Sequence, residues 1–263
     1  MKAVESREEL LLELKHIADW EKDQKDLWFW EKLGRLPFVL LDRITPKFIH
    51  QKIGQSIDEL GSYIQSGGQY LIKEEDIYKK FSKDVPSQSE IQQLPLLEMD
   101  KVAKGLLDSR SKMATVQGAT TGIGGLFTLA IDIPLLLGIS LKVLQEMALT
   151  YGYDPRQKEE RIFIVKCLQF TSSDIVGKKA ILEELESFQT NRSSSQAISQ
   201  LEGWREVVMT YRDNFGWKKL FQMVPIAGMI FGAYINKSTI QDVAETGMML
   251  YRKRRILERL TLP

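Results

Sequence analysis

The chain has 263 residues, with 36 Lys and Arg against 35 Asp and Glu, two histidines, one cysteine and 43% hydrophobic residues. A net charge of +1 gives no global field to recruit nucleic acid, and the apolar fraction belongs to a chain with a core rather than a disordered one. Cys167 alone makes no internal disulfide, and with only His16 and His50 beside it a zinc site lacks ligands, so neither metal nor cofactor is expected.

In chain order, Leu10-Leu11-Leu12 is interrupted by Glu13 and Lys15, which falls short of the apolar run of a signal peptide, and a cytoplasmic address is expected. Ser6-Arg7-Glu8-Glu9 reads as a capping box at a helix start. Behind it Leu10, Leu14 and Ile17 recur at i, i+4, i+7, in a helix expected to run towards Trp28-Phe29-Trp30 and to stop before Pro37. Trp20, Trp28 and Trp30 read as core aromatics, with an interfacial belt as the alternative. Thr45-Pro46 is a second start signal, followed by the stripe Ile49, Ile53, Ile57, Leu60 and Ile64 and the stop Gly67-Gly68. A third helix carries Met99, Val102, Ala103, Leu106 and Met113.

Within Tyr151-Gly152-Tyr153-Asp154-Pro155 the glycine is expected to end one helix, Asp154 to cap the next and Pro155 to open it, with Ile162, Val165 and Leu168 on one side. Ser187 to Ser199 is polar and aperiodic and reads as a mobile loop. Ile198, Leu201, Trp204, Val208 and Tyr211 mark a further helix, and Ser238-Thr239-Ile240-Gln241 reads as a capping box for a last one reaching about Arg259. No window alternates apolar and polar residues over strand length, so the expected fold is all-α, one multi-helix bundle spanning 1–263.

One segment stands apart. From Met113 to Leu141 the only charged residue is Asp132. As a helix, Ile123 to Leu141 would be about 28 Å long, close to the roughly 30 Å hydrocarbon core of a bilayer. Asp132 at its midpoint costs about 2.5–3.5 kcal/mol on insertion scales, which roughly cancels the gain from the Leu, Ile and Phe around it. Burial within the protein is therefore expected. Gly118, Gly122 and Gly125 recur at helical spacing, and Gly228 and Gly232 make a second small pair. Each interior glycine costs about 1 kcal/mol, so close backbone approach should compensate. The two glycine faces are read as partners in a central, glycine-rich, highly apolar helical hairpin.

Several pieces stand in a recognisable order: Ile44-Thr45-Pro46-Lys47-Phe48-Ile49-His50, Ser66-Gly67-Gly68, Gly118-Ala119-Thr120-Thr121-Gly122, and Ala130-Ile131-Asp132-Ile133-Pro134 followed by Gln145-Glu146 and Tyr151-Gly152-Tyr153-Asp154. Near the end come Val224-Pro225-Ile226-Ala227-Gly228, Gly232, Asn236, Ala244 and Tyr251-Arg252-Lys253-Arg254. With these the chain resembles the EcsC protein family over nearly its whole length, departing at Ala233-Tyr234-Ile235, where the family usually has a more glycine-rich stretch. The resemblance implies a bacterial protein in the neighbourhood of an ABC transporter linked to protein secretion, and it implies no reaction.

Two polar residues are the candidate pocket. Asp132 and Asn236 each stand beside a glycine-containing apolar stretch, where they could share a ligand headgroup or a proton; the alternative is that both are helix caps, Asp132 for the helix that Pro134 opens. The local charge excess is Arg252, Lys253, Arg254, Arg255 and Arg259. It could hold an anionic membrane surface at about 1 kcal/mol per residue, or simply be a solvated last helix whose cations complement its dipole. His16 and His50 read as surface or half-buried histidines and Cys167 as a structural thiol; HExxH, GxSxG and a P-loop are all absent. The expected function is a non-enzymatic accessory protein that associates with a membrane surface or a transporter component. A carrier of a lipid or other apolar ligand is the first alternative, and a hydrolase using Asp132 as its acid the second.

Overall fold

The computed structural model describes residues 5–24, 72–81, 87–121, 129–173, 175–190 and 225–261, with single helical positions at 55, 58 and 62. Among the described residues there are eight helices and no strand, as an all-α fold requires. They are α1 (Arg7–Asp23), α2 (Glu74–Tyr78), α3 (Gln88–Ile91), α4 (Leu96–Thr121), α5 (Leu129–Thr150), α6 (Lys158–Ser172), α7 (Ile175–Thr190) and α8 (Pro225–Thr261). Trp28, Trp30, Pro37, His50, the Ile49 to Ile64 stripe, Gly67-Gly68 and the Ile198 to Tyr211 pattern lie outside them.

The start of α1 follows the sequence closely. Glu9 N–H donates to Ser6 Oγ at 3.2 Å and Ser6 N–H donates to Glu9 Oε2 at 2.7 Å, a reciprocal cap. Leu10 and Ile17 are buried, and Trp20 sets its ring 5.8 Å from Phe170 while its indole N–H donates to Glu245 at 2.9 Å. That is a core aromatic with its polar edge satisfied. On α4, Met99, Val102, Ala103 and Leu106 are buried as expected, but Met113 is 58% exposed. The buried positions step on by four instead, from Leu106 past half-buried Arg110 to Ala114 and Gly118, so the buried face turns about 40° per step and leaves Met113 outside it.

At the end of α5, Gly152 takes φ 78°, a left-handed conformation that suits glycine. Tyr153 N–H reaches Ala148 O at 2.8 Å and Gly152 N–H reaches Leu149 O at 3.0 Å, so the helix closes in a Schellman motif. The next start lies later than the Asp-Pro pair suggests. α6 begins at Lys158, while Asp154 instead accepts the Arg156 backbone N–H at 2.9 Å and its guanidinium at 2.8 Å. Nearly all of α6 is buried, Ile162, Val165 and Leu168 together with Phe163, Ile164, Cys167 and Phe170, because it lies against α5, α7 and α8 at once. α7 continues to Thr190, so the first residues of the expected loop at 187–199 are helical and the remainder lies outside the described residues.

The largest departure is α8. It runs unbroken for 37 residues, and Ser238 sits in its interior rather than at a start. The Thr239 hydroxyl donates back to Ile235 O at 2.8 Å inside the helix, and Pro225 takes the first position. α8 packs most extensively along α4, then on α5, α6 and α1. Arg252 meets Asp100 and Arg259 meets Leu94 O, so α4 runs antiparallel to it; Gly247 faces Leu144 and Met147 while Arg255 meets Tyr151 O, so α5 runs parallel. No helix among the described residues is long and apolar enough to cross a membrane.

Candidate functional site

Successive residues of a helix point about 100° apart, so four in a row sweep most of the way round its axis. Arg252, Lys253, Arg254 and Arg255 do this where α8 is enclosed by other helices, and each finds an internal partner. Arg252 pairs through Nε with Asp100 of α4 at 2.9 Å and through Nη2 with Glu13 of α1 at 2.7 Å. Lys253 reaches Glu21 of α1 at 2.8 Å and Glu186 of α7 at 3.0 Å. Arg254 holds Glu160 of α6 at 2.7 Å and lies 4.2 Å over the Tyr153 ring. Arg255 donates twice to Tyr151 O, at 3.1 and 2.7 Å, and covers the carbonyl end of α5. One turn on, Arg259 pairs with Glu5 and donates to Leu94 O at 2.6 Å, tying down the entry to α4.

Tyrosines complete this collar. The Tyr151 hydroxyl donates to Asp100 at 2.7 Å, Tyr251 stacks on Phe163 at 4.7 Å, and Tyr153 lies between Arg254 and Arg255. Burial pushes the Glu160 carboxyl above its ordinary range, with Arg254 opposing that shift. Burial, reinforced by the Asp100 charge, raises the Tyr151 phenol. Burial also raises the Cys167 thiol, which suits a packing role and not a nucleophile.

The five cations therefore occupy neither expected setting. They are neither a solvated face nor a surface turned to a membrane, because enclosure by α1, α4, α6 and α7 supplies carboxylates on every side. An acid or base must come within about 3 Å of a reactant; in the collar each carboxylate is paired with a guanidinium or ammonium group. The arrangement clamps helices together. A further ion pair outside the collar, Arg110 with Glu146 at 2.5 Å, does the same between α4 and α5.

The other sequence candidates are not brought into it. Asp132 is the fourth residue of α5, which starts at Leu129, so it is not the cap of a helix opened by Pro134; Pro134 is the sixth residue and leaves Ala130 O without its usual donor. Asp132's side chain lies outside the described ones. Asn236 is fully buried within α8, and neither its amide oxygen nor its amide nitrogen has a hydrogen-bond partner. It is not a cap. Gly118 is buried on α4; Gly122 and Gly125 lie outside the described residues, and Gly228 and Gly232 lie in the first two turns of α8 with their surroundings outside them. Among the described glycines within helices, the close approach is at Gly247, where an added Cβ would stand 2.8 Å from Leu144 Cδ2.

His16 is exposed and lies 3.2 Å from Glu13, and no group of three or more His, Cys, Asp or Glu is placed to hold a metal among the described residues. Sequence reasoning missed Asp100, Glu160, Tyr151 and Gly247. Four consecutive cations flanked by the apolar Tyr251 and Ile256 were the available signal, since a solvated face is not continued by apolar residues on every side.

Comparison with known proteins matches residues 12–256 to the model of the EcsC protein family. Among curated proteins, the chain is 58% identical over 261 residues to "Uncharacterized protein YdbA" of Bacillus subtilis (strain 168), covering 97% of this chain and 96% of that one. It is 28% identical over 247 residues to "Protein EcsC" of the same organism, covering 93% and 95%. No solved structure matches.

Proposed function

The chain belongs to the EcsC protein family, and from that premise we propose that it is a non-enzymatic accessory protein resting peripherally on a membrane surface, beside a membrane transport component. The observation that carries this reading is the division of α8. Its C-terminal part has its charges spent on internal clamping, and its first third, Pro225 to Asn236, carries no charge and includes the 68% exposed Tyr234. A rigid body carrying such an uncharged helical segment suits docking better than turnover. Fractionation of native cells tests it: the protein should sediment in part with membranes and come off in alkaline carbonate. Absence from the membrane fraction would sink the reading, and retention after carbonate would replace it with an integral one.

One observation favours a second reading, a binder of a lipid or other apolar ligand between helices. Asn236 holds two unpartnered amide atoms in the core, and an orphaned buried polar group costs about 1–3 kcal/mol. Asn236→Leu should therefore stabilise the protein by about that amount in denaturant melts. Mass spectrometry of the purified protein separates the two readings: under the binder reading, a copurifying lipid present in the natural chain disappears in the variant. A drop in stability would mean that the amide has partners in solution.

A further inference from the structure

We propose that the end of the bundle bearing Met113, Val116, Leu135 and Tyr234 is the surface that meets the membrane, set against anionic headgroups through Lys112 and Lys237; this rests on the peripheral reading above and specifies its face and lipid class. The four apolar side chains are 58%, 67%, 41% and 68% exposed. They come from three helices, so their clustering follows from register. Counting from the level where Arg252 meets Asp100, with about 1.5 Å per residue along antiparallel α4 and α8, Met113 lies about 20 Å out, Val116 about 24 Å and Tyr234 about 27 Å. Gly247 faces Leu144 and Met147, and the same rise along parallel α5 brings Leu135 to about 23 Å. Four large exposed apolar groups thus share one end.

Charge sharpens the choice of occupant. Moving back from that end, the first charged residue is exposed Lys237 on α8 and exposed Lys112 on α4, at about 22 and 18 Å on the same scale. The next carboxylates on those helices, Asp108 and Asp242, stand further back. On α5 the sequence places one carboxylate, Asp132, at the apolar end. A tip whose described exposed side chains are apolar, with the single carboxylate Asp132 in sequence there and a lysine rim behind it, fits an interface where apolar groups reach the acyl boundary and ammonium groups stay among anionic headgroups. The other exposed apolar residues differ. Leu11 and Leu12 sit beside exposed Glu8, Glu9 and Lys15, and Leu97 beside exposed Glu98 and Lys101. Because no described helix can span a bilayer, contact at this end is superficial.

The test is co-flotation of the full chain with vesicles of phosphatidylglycerol and phosphatidylcholine, and with vesicles of phosphatidylcholine alone. Binding should require the anionic lipid and weaken with salt. Val116→Glu with Tyr234→Glu, both at exposed positions, should lower binding at least about tenfold, and Lys112→Glu with Lys237→Glu comparably. Leu97→Glu, at the opposite end, should leave it unchanged, with thermal melts confirming that all variants fold. Undiminished binding by the tip variants, or equal binding to neutral vesicles, overturns the inference. Wild-type protein that floats with neither vesicle yet sediments with native membranes points to a protein partner, which sinks this proposal and leaves the peripheral reading standing.

Discussion

Replacing Arg254 by Met should destabilise the protein by about 3–5 kcal/mol at neutral pH, because it strands the Glu160 carboxylate inside the bundle. Glu160 is 3% exposed at its side chain, and its two oxygens lie 2.7 and 2.9 Å from Arg254 Nη1. The cation also covers the Tyr153 and Phe163 rings at 4.2 and 5.2 Å, so part of the loss is packing. A pH series separates the two parts. Burial already raises the Glu160 carboxyl above its ordinary value, and losing the guanidinium raises it further. An acid whose folded pKa exceeds its unfolded one binds more protons when folded, so its contribution falls as pH rises through the folded pKa. The deficit of Arg254→Met against wild type should therefore be smaller at pH 5 than at pH 8. Adding Glu160→Leu removes the stranded charge and should recover most of the loss, since apolar replacement of a whole buried pair is often neutral. A single variant within about 0.5 kcal/mol of wild type at both pH values would mean that the pair is solvated.

That pair shows why the sequence reveals the fold more readily than the site. Helices declare themselves through local spacing and caps: the Ser6 box and the Gly152 stop are set by residues within one or two turns, and both stand as read. Ser238 reads as a start because its neighbours form the right tetrapeptide, yet the same residues lie inside a continuous helix that α4 and α5 support along its length, with Thr239 donating back to Ile235 O. Met113 continues the helical spacing from Leu106, yet the buried positions step on by fours to Ala114, so spacing alone does not say which way the buried face turns. The arginine run is harder still. Its partners come from positions 5, 13, 21, 100, 160 and 186, and nothing local to any of them announces the pairing. The family resemblance rests on Tyr151-Gly152-Tyr153 and Tyr251-Arg252-Lys253-Arg254 as separate pieces among several, and these two segments meet in the collar. The glycines illustrate the same limit. Small residues at helical spacing mark candidates for close contact, while only the packing of α8 on α5 picks out Gly247, which has no partner in that spacing.

Gly247→Leu is the second large effect, expected at about 3 kcal/mol because overpacking a dense core forces neighbours off their rotamers. A single added Cβ would already lie 2.8 Å from Leu144 Cδ2 and 3.2 Å from Met147 Cγ. Both neighbours are fully buried, so neither side chain can swing into solvent. Three further carbons have no room unless α5 and α8 separate, and separation would pull Arg255 from Tyr151 O about two turns along. For a chain of this size the loss corresponds to about 6–12 °C in Tm. Gly247→Ala should differ little from wild type, because the gain of about 1 kcal/mol in helix propensity offsets the contact. Gly105 is the control: it is exposed on α4 with nothing within 4 Å of an added Cβ, and Gly105→Ala should stabilise by about 1 kcal/mol. Pairing Gly247→Leu with Leu144→Ala returns volume to the crowded site and should restore part of the lost midpoint, a non-additivity that only residues in contact display. If Gly247→Leu melts with wild type, α5 and α8 do not meet at this position, and the parallel register that places Leu135 level with Tyr234 falls with it.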